Sequence, residues 1–152
     1  MKLELKISKR HLPHWTLKDA VYYITFTAIE YQFTIEEQKL ILDHIQDGNN
    51  KFYLLYSVIV MPDHVHLILK PFEEYPLSRI MKGTKGAIAN KINKLRKSSG
   101  SIWLDESYDR IIRDHDEFLE KLNYMFNNPI KKGLTEDTNN YHGWYLNETI
   151  FG

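Results

Sequence analysis

Residues 52–70 restrict the fold more than any other stretch of the chain. Residues 52–61 are almost continuously apolar, which predicts a central β-strand buried on both faces. Pro62-Asp63 predicts a turn, and residues 64–70 return as a second strand that ends before Pro71. The stretch therefore predicts an antiparallel hairpin at the centre of a sheet.

The return strand opens with His64 and His66. A strand repeats its faces every two residues, so both imidazoles point to the same side and together can hold one metal ion. A His-x-His pair in a buried strand is more often simply two hydrogen-bonded histidines. The polar turn before the pair puts it at a strand end near solvent, which strengthens the case for a metal site without making it the simpler interpretation.

The rest of the chain predicts an α+β fold. Patterning and capping signals place a strand at 20–28, a helix from Thr34 to about Gln46, a helix at 77–97, a strand at 108–113 and a helix from Asp114 to about Asn128. Pro129 sets that last boundary, because proline disfavours helical geometry in the preceding residue. The order β-α-β-β-α-β matches the ferredoxin-like, split βαβ antiparallel sheet. We expect helices on one face, an open opposite face, and an additional C-terminal helix.

Composition limits the class of protein. The 152 residues predict one domain, 1–152, and the absence of cysteine excludes disulfides and cysteine-ligated metals. No apolar run approaches the length of a membrane span, and the N-terminus is not that of a signal peptide, so we expect a cytoplasmic protein without membrane contact. Formal net charge is zero, which taken alone argues weakly against nucleic-acid binding.

Charge is unevenly placed, however. The helix at 77–97 carries only basic charges, at Arg79, Lys82, Lys85, Lys91, Lys94, Arg96 and Lys97. Such a stripe is either a solvated face or a phosphate-binding surface, and its one-sidedness favours DNA contact. We predict that the DNA-binding residues are Arg79, Lys82, Lys85, Lys91 and Lys94. Trp15 and Trp103 are candidates for stacking on unpaired bases.

The last helix holds two residues off its apolar face, Tyr124 and Asn128. They are four apart and so share one side of the helix. Without further context they are most simply a surface tyrosine and a helix-terminal asparagine. His11 and His14 lie in an irregular lead-in segment, where surface residues are more common than ligands.

Several blocks of the sequence, in order, resemble one known family. Residues 61–67, Met-Pro-Asp-His-Val-His-Leu, are similar to the signature of the single-tyrosine HUH transposases, and within them to the REP-associated tyrosine transposases of insertion-sequence type. The opening at 12–26, the basic helix at 77–86, the late strand at 103–114 and the block Tyr-Met-Phe-Asn-Asn-Pro-Ile-Lys-Lys-Gly-Leu at 124–134 also agree. The resemblance spans roughly residues 10–135, with Ile130 and Lys131-Lys132 as small departures; the tail beyond Leu134 matches poorly.

The resemblance implies a reaction and the residues for it. It implies Tyr124 as the nucleophile, His64 and His66 as metal ligands, and Asn128 as the third ligand through its amide oxygen. The implied activity is metal-dependent cleavage and rejoining of single-stranded, hairpin-forming DNA through a 5′-phosphotyrosine. Mg²⁺ or Mn²⁺ suits this ligand set. A homodimer is one arrangement it allows, with Tyr124 acting in its own chain or in a partner.

Two other functions stay open on the sequence. One is a domesticated DNA-binding protein that keeps the fold with little or no catalysis. The other is an unrelated metalloprotein that uses the His-x-His pair to bind Zn²⁺ for hydrolysis, which would require a third strong ligand.

Overall fold

A computed structural model describes residues 20–30 and 32–150. The lead-in segment with His11, His14 and Trp15 lies outside the described residues. The predictions of surface histidines and of base stacking by Trp15 therefore stay predictions. None of the helices in the described ranges is long and apolar enough to cross a membrane.

A five-stranded antiparallel sheet organises the chain. Its strands are β1 (Val21–Thr27), β2 (Tyr53–Val60), β3 (His64–Pro71), β4 (Tyr108–Ile112) and β5 (Trp144–Leu146). Their order across the sheet is β4-β1-β3-β2-β5, with every neighbouring pair antiparallel. The first four strands were predicted within a residue or two at each end. The polar tail gave no signal for β5, a strand of three half-buried residues that pairs with β2.

Three helices complete the fold, α1 (Ile35–Asp47), α2 (Leu77–Arg96) and α3 (His115–Lys131). Thr34 and Glu37 form the predicted capping box of α1, each side chain accepting a hydrogen bond from the other residue's backbone N–H. Asp114 caps α3 by accepting from the Glu117 N–H at 2.8 Å. The α+β class with a ferredoxin-like sheet is therefore confirmed.

The sheet is covered on both faces, not on one. α1 and α2 pack on the first face against side chains such as Val65, Leu67 and Leu69 of β3. α3 packs on the second face, where Phe118, Leu122 and Met125 meet Ile68 and other strand residues. The face that we expected to be open thus carries the C-terminal helix.

The end of α3 also differs from the prediction. The helix continues through Pro129 to Lys131 instead of ending near Asn128. Proline removes one helical hydrogen bond. The side chains of Met125, Phe126 and Pro129 are all buried. Burial of this last turn compensates for the missing bond, which a local sequence rule does not take into account.

Candidate functional site

The two histidines of β3 lie side by side under α3. Val65 and Leu67 point into the core beneath α1 and α2, so His64 and His66 point to the opposite face. Their ring centroids are 4.7 Å apart, with the rings edge to face. The predicted common side is confirmed, and it is the side that α3 covers.

His66 is buried, and its two ring nitrogens have different surroundings. Nδ1 lies 2.7 Å from the Thr25 hydroxyl and 2.9 Å from the Tyr23 hydroxyl, both on β1. Nε2 is also buried but has no hydrogen-bond partner among the described residues. Desolvation, with a smaller effect of neighbouring His64, lowers the pKa of His66 to about 3. His66 is therefore neutral at pH 7, with one nitrogen carrying an available lone pair.

His64 is held in a similar way by different groups. Its Nδ1 lies 2.6 Å from Oδ1 of Asp63, and its Nε2 lies 3.5 Å from the amide nitrogen of Asn128. A half-turn of the Asn128 amide about its Cβ–Cγ bond would put the oxygen in place of that nitrogen. Both histidines thus have Nδ1 beside an oxygen group, while Nε2 of His64 faces the Asn128 amide and Nε2 of His66 has no hydrogen-bond partner among the described residues.

α3 brings Tyr124 and Asn128 to the histidines. Asn128 is only 6% exposed, since it is pressed against β3, whereas Tyr124 is 51% exposed. The Tyr124 ring meets the His66 ring edge to face at a centroid distance of 5.7 Å. Tyr124 is exposed off the helix core, as predicted. Asn128 lies beside His64 and is buried there, which helical periodicity alone does not indicate. All four residues come together within one chain.

The positions of the carboxylate and histidine side chains limit which kind of metal site can form. In residues 20–30 and 32–150, no three His, Cys, Asp or Glu side chains are grouped so that they could hold a metal ion. Among the described residues, the amide of Asn128 lies beside His64 and is a candidate for a third protein ligand. The zinc-hydrolase alternative lacks the third strong ligand that it requires in this part of the chain.

The basic helix lies on the other face of the sheet. Arg79, Lys82, Lys91 and Lys94 are exposed on α2, but none is brought to the histidines. Lys85 is half-buried and donates from Nζ to the Leu104 carbonyl at 3.1 Å and the Ser107 hydroxyl at 2.9 Å. Its predicted role as a DNA contact would require these bonds to be given up.

Two grooves flank α2 and divide its cations. Lys82 and Lys85 line a groove of about 500 Å³ against residues 101–109, together with Asp105 and Asp109. Arg79 and Lys91 line another of about 520 Å³ against the C-terminal end of α1. The second groove has the more positive lining, and Lys91 contacts His44 there at 2.8 Å. Four cations of the stripe are thus divided between two separate grooves.

Three residues near the histidines were not predicted from the sequence, and the role predicted for Trp103 is wrong. The hydroxyls of Tyr23 and Thr25 both lie within hydrogen-bond distance of His66 Nδ1. The only sequence feature that could have indicated them is their spacing, two residues apart on one predicted strand. Tyr108, at the exposed sheet edge, was not singled out. Trp103, predicted as a stacking residue, is 5% exposed and packs between Phe26 and Phe33. It belongs to the core and cannot stack on a base.

The fold is shared with solved transposases. A REP-associated tyrosine transposase bound to a REP hairpin matches with a TM-score of 0.68 at 17% identity, over 85% of this chain and 78% of that one. A Deinococcus radiodurans protein assigned as a transposase matches with a TM-score of 0.51 at 20% identity, over 72% of this chain and 92% of the other. At these identities the structural matches define the fold alone.

Sequence comparison identifies the family. A Haemophilus influenzae protein assigned as a REP-associated tyrosine transposase is 23% identical over an alignment of 128 residues, and the match covers 70% of this chain and 73% of the relative. The family model described as "Transposase IS200 like" matches residues 30–117, more than half of the chain. The chain belongs to this IS200-like transposase family. The matched range includes His64 and His66 and ends before Tyr124 and Asn128.

Proposed function

We propose that the protein is a metal-dependent endonuclease and strand transferase that acts on single-stranded, hairpin-forming DNA with Tyr124 as its nucleophile. The observation that supports this most is the position of Tyr124 on α3. Its ring lies against that of His66, whose Nε2 has no hydrogen-bond partner within residues 20–30 and 32–150. Membership of the transposase family and the hairpin bound to the structural relative support the choice of DNA substrate.

The residues at the site fit a divalent metal. A buried imidazole nitrogen without a partner is costly, and a metal ion is a natural partner for it. We infer that Nε2 of His66, Nε2 of His64 and the amide oxygen of Asn128 would hold the ion. Mg²⁺ and Mn²⁺ both accept such ligands; the imidazoles favour Mn²⁺ in affinity, while availability favours Mg²⁺. When bound, the ion would act as a Lewis acid on the scissile phosphate, and three neutral ligands would leave its charge undiminished.

The neighbours of the two histidines set their tautomers. Nδ1–H of His66 can donate to the Thr25 or the Tyr23 hydroxyl oxygen, and Nδ1–H of His64 to the Asp63 carboxylate. Each ring then presents a lone pair at Nε2. Such outer contacts orient metal-binding imidazoles and raise their basicity.

The chemical step uses the Tyr124 hydroxyl. Its oxygen attacks the phosphorus and forms a new P–O bond, while the bond from phosphorus to the 3′ oxygen of the preceding nucleotide breaks. The proton of the hydroxyl is lost and the departing 3′ oxygen gains one, so the products are a 5′-phosphotyrosine and a free 3′-OH. Because the phosphodiester energy is retained, a 3′-OH can reverse the step on another strand.

The basic side chains of α2 are proposed to bind backbone phosphates of the hairpin. Since α2 and Tyr124 lie on opposite faces of the sheet, a DNA molecule that contacts both must pass around the sheet edge. Arg79, Lys82, Lys91 and Lys94 are exposed enough for this role. A homodimer is not required to complete the site, because Tyr124 already contacts His66 of its own chain.

A covalent-adduct assay tests the proposal. The protein is incubated with Mn²⁺ or Mg²⁺ and hairpin DNA labelled on the 3′ side of the cut, and the products are separated on a denaturing gel. We expect a protein–DNA adduct that is lost in Tyr124→Phe and in the presence of EDTA. Cleavage that survives Tyr124→Phe would contradict the tyrosine mechanism. Hairpin binding without an adduct in the wild type would favour the domesticated DNA-binding protein.

A further inference from the structure

A row of side chains crosses the sheet beside the histidines. Tyr108 of β4 pairs with Thr25 of β1, and Thr25 pairs with His66 of β3, so the three lie next to one another on the α3 face. Tyr108 is 53% exposed at the sheet edge. Its ring meets the Tyr23 ring edge to face at 6.4 Å, and Tyr23 stacks on His66 at 5.7 Å. A single buried ring therefore separates exposed Tyr108 from the candidate site.

A positive charge lies over that buried ring. Nζ of Lys121 is 5.2 Å from the Tyr23 ring centroid, and Lys121 lies one turn before Tyr124 on the same side of α3. Its ion pair with Glu120 is long, at 3.8 Å. Arg110, the next cation along this edge, is instead held by Glu117 through two hydrogen bonds of 3.1 and 3.0 Å. Lys121 thus has the weaker carboxylate contact of the two.

We propose that Tyr108 and Lys121 form a binding site for the unpaired DNA strand next to the scissile phosphate, an inference that rests on the proposed function. A base of this strand stacks on Tyr108, and a neighbouring backbone phosphate contacts Lys121. Proteins bind single strands by combining aromatic rings, on which bases stack, with basic side chains, which contact phosphates. Any base can stack in this way. The bases of a duplex are already stacked on one another, so a hairpin stem gains nothing from Tyr108.

The chain offers a matched control at the other end of the sheet. Phe52 is 43% exposed and meets Tyr75 edge to face at 5.0 Å, much as Tyr108 meets Tyr23. It precedes Tyr53, which pairs with Pro71 at the end of β3, whereas His64 begins β3. Phe52 is therefore an exposed aromatic of similar setting that is remote from Tyr124.

Fluorescence anisotropy with two probes tests the inference. One probe is a DNA hairpin with an oligothymidine flank of about eight nucleotides on each side, within the usual range of single-strand sites. The other is the same hairpin without flanks, and EDTA is present throughout. We expect Tyr108→Ala to weaken binding of the flanked probe about 5- to 100-fold, the effect of losing one stacked base, and to leave the bare hairpin unchanged. Tyr108→Phe should retain wild-type binding. Phe52→Ala, in the groove that Arg79 and Lys91 line, should leave the ratio of the two probe affinities as it is in the wild type.

Lys121→Gln supplies a second, independent readout. Loss of one phosphate contact should reduce the slope of log affinity against log salt by about one for the flanked probe only. If Tyr108→Ala does not fold, as judged by circular dichroism, Tyr108→Thr keeps a strand-forming residue without a ring and takes its place.

Three results would overturn the inference: equal wild-type affinity for both probes, unchanged flanked binding in the ring-deleted variant, or an equal loss for both probes. None of them bears on the adduct assay, which needs neither variant. A wild-type adduct combined with unchanged flanked binding would therefore refute the strand site and leave the tyrosine mechanism standing.

Discussion

The two faces of the sheet are built from the same strands but in different ways. Beneath α1 and α2, β3 contributes Val65, Leu67 and Leu69 to a continuous apolar cluster. Beneath α3 the same strand contributes Ile68 to the core, but also buried His66, whose Nε2 has no hydrogen-bond partner among the residues described. One face is optimised for burial, while the other includes a polar group that is unfavourable unless something binds it.

Apolar stabilisation and the proposed activity depend on different faces of the sheet. Apolar burial on the α1/α2 face contributes to folding free energy without any chemical role. On the α3 face, strand and helix positions that could hold apolar side chains hold His64, His66 and Asn128 instead. Sites that break local rules of burial in this way are typical of functional centres. Adjacent residues of β3 should therefore give opposite phenotypes.

His66→Ala should produce the largest effect on activity. If His66 helps to hold the metal, its loss removes several kcal/mol of transition-state stabilisation, so adduct formation should fall at least about a thousandfold. Gel quantification of the phosphotyrosine adduct measures this, with Leu67→Val as the control on the opposite face. An adduct yield within tenfold of wild type, about 1.4 kcal/mol, would remove the distinction between the faces.

Leu67→Ala should produce the largest effect on stability. Leu67 is 2% exposed in the α1/α2 cluster, and truncating such a side chain costs about 2–5 kcal/mol of unfolding free energy. Urea denaturation measures the change, and at low temperature the remaining folded protein should still form the adduct. A folded Leu67→Ala protein that is inactive would show that the α1/α2 face also shapes the site.

The double variant Tyr23→Phe/Thr25→Val should lower the affinity for metal, with an effect of intermediate size. Both hydroxyls are removed because Nδ1 of His66 can use either one. Loss of such an outer contact typically lowers metal affinity about 10- to 100-fold. Isothermal titration of Mn²⁺ measures it directly, and each single variant should show the smaller change. Unaltered Mn²⁺ affinity in the double variant would mean that these hydroxyls do not orient the imidazole.

Gly83→Ala should produce the smallest change, and a favourable one. An added Cβ at Gly83 in α2 meets nothing within 4 Å, and alanine is better than glycine in a helix interior by about 0.8–1.0 kcal/mol. Thermal unfolding should show a modestly higher Tm. A lower Tm would mean that α2 needs the conformational freedom of glycine at this position, contrary to the helix propensities that predict the gain.

The sequence was sufficient for much of the fold and for the pairing of the histidines. Capping residues such as Thr34 and Asp114 act locally, so the helix starts could be read from them. Alternation along β3 is also local, and it put His64 and His66 on one side. The resemblance then directed attention to Tyr124 and Asn128, which the structure brings to the same place.

What could not be read depends on contacts between distant segments. Whether Asn128 is exposed depends on α3 lying against the end of β3, and helical periodicity alone places it off the core. Trp103 looks like a stacking residue in sequence, but its position between Phe26 and Phe33 makes it core. The basic stripe of α2 does not reveal that Lys85 is bonded to Ser107. Each of these facts needs the tertiary structure.

The pairing of β3 with β1 has a consequence for folding fidelity. Leu67 pairs with Ile24 and His66 with Thr25. Shifting β3 by one residue would turn every side chain to the other face, moving both imidazoles under α1 and α2 and the valine and leucine under α3. Desolvating two imidazoles among aliphatic side chains is costly, so the misaligned hairpin would be disfavoured. The histidines thereby help to select the one alignment in which they can meet Tyr124.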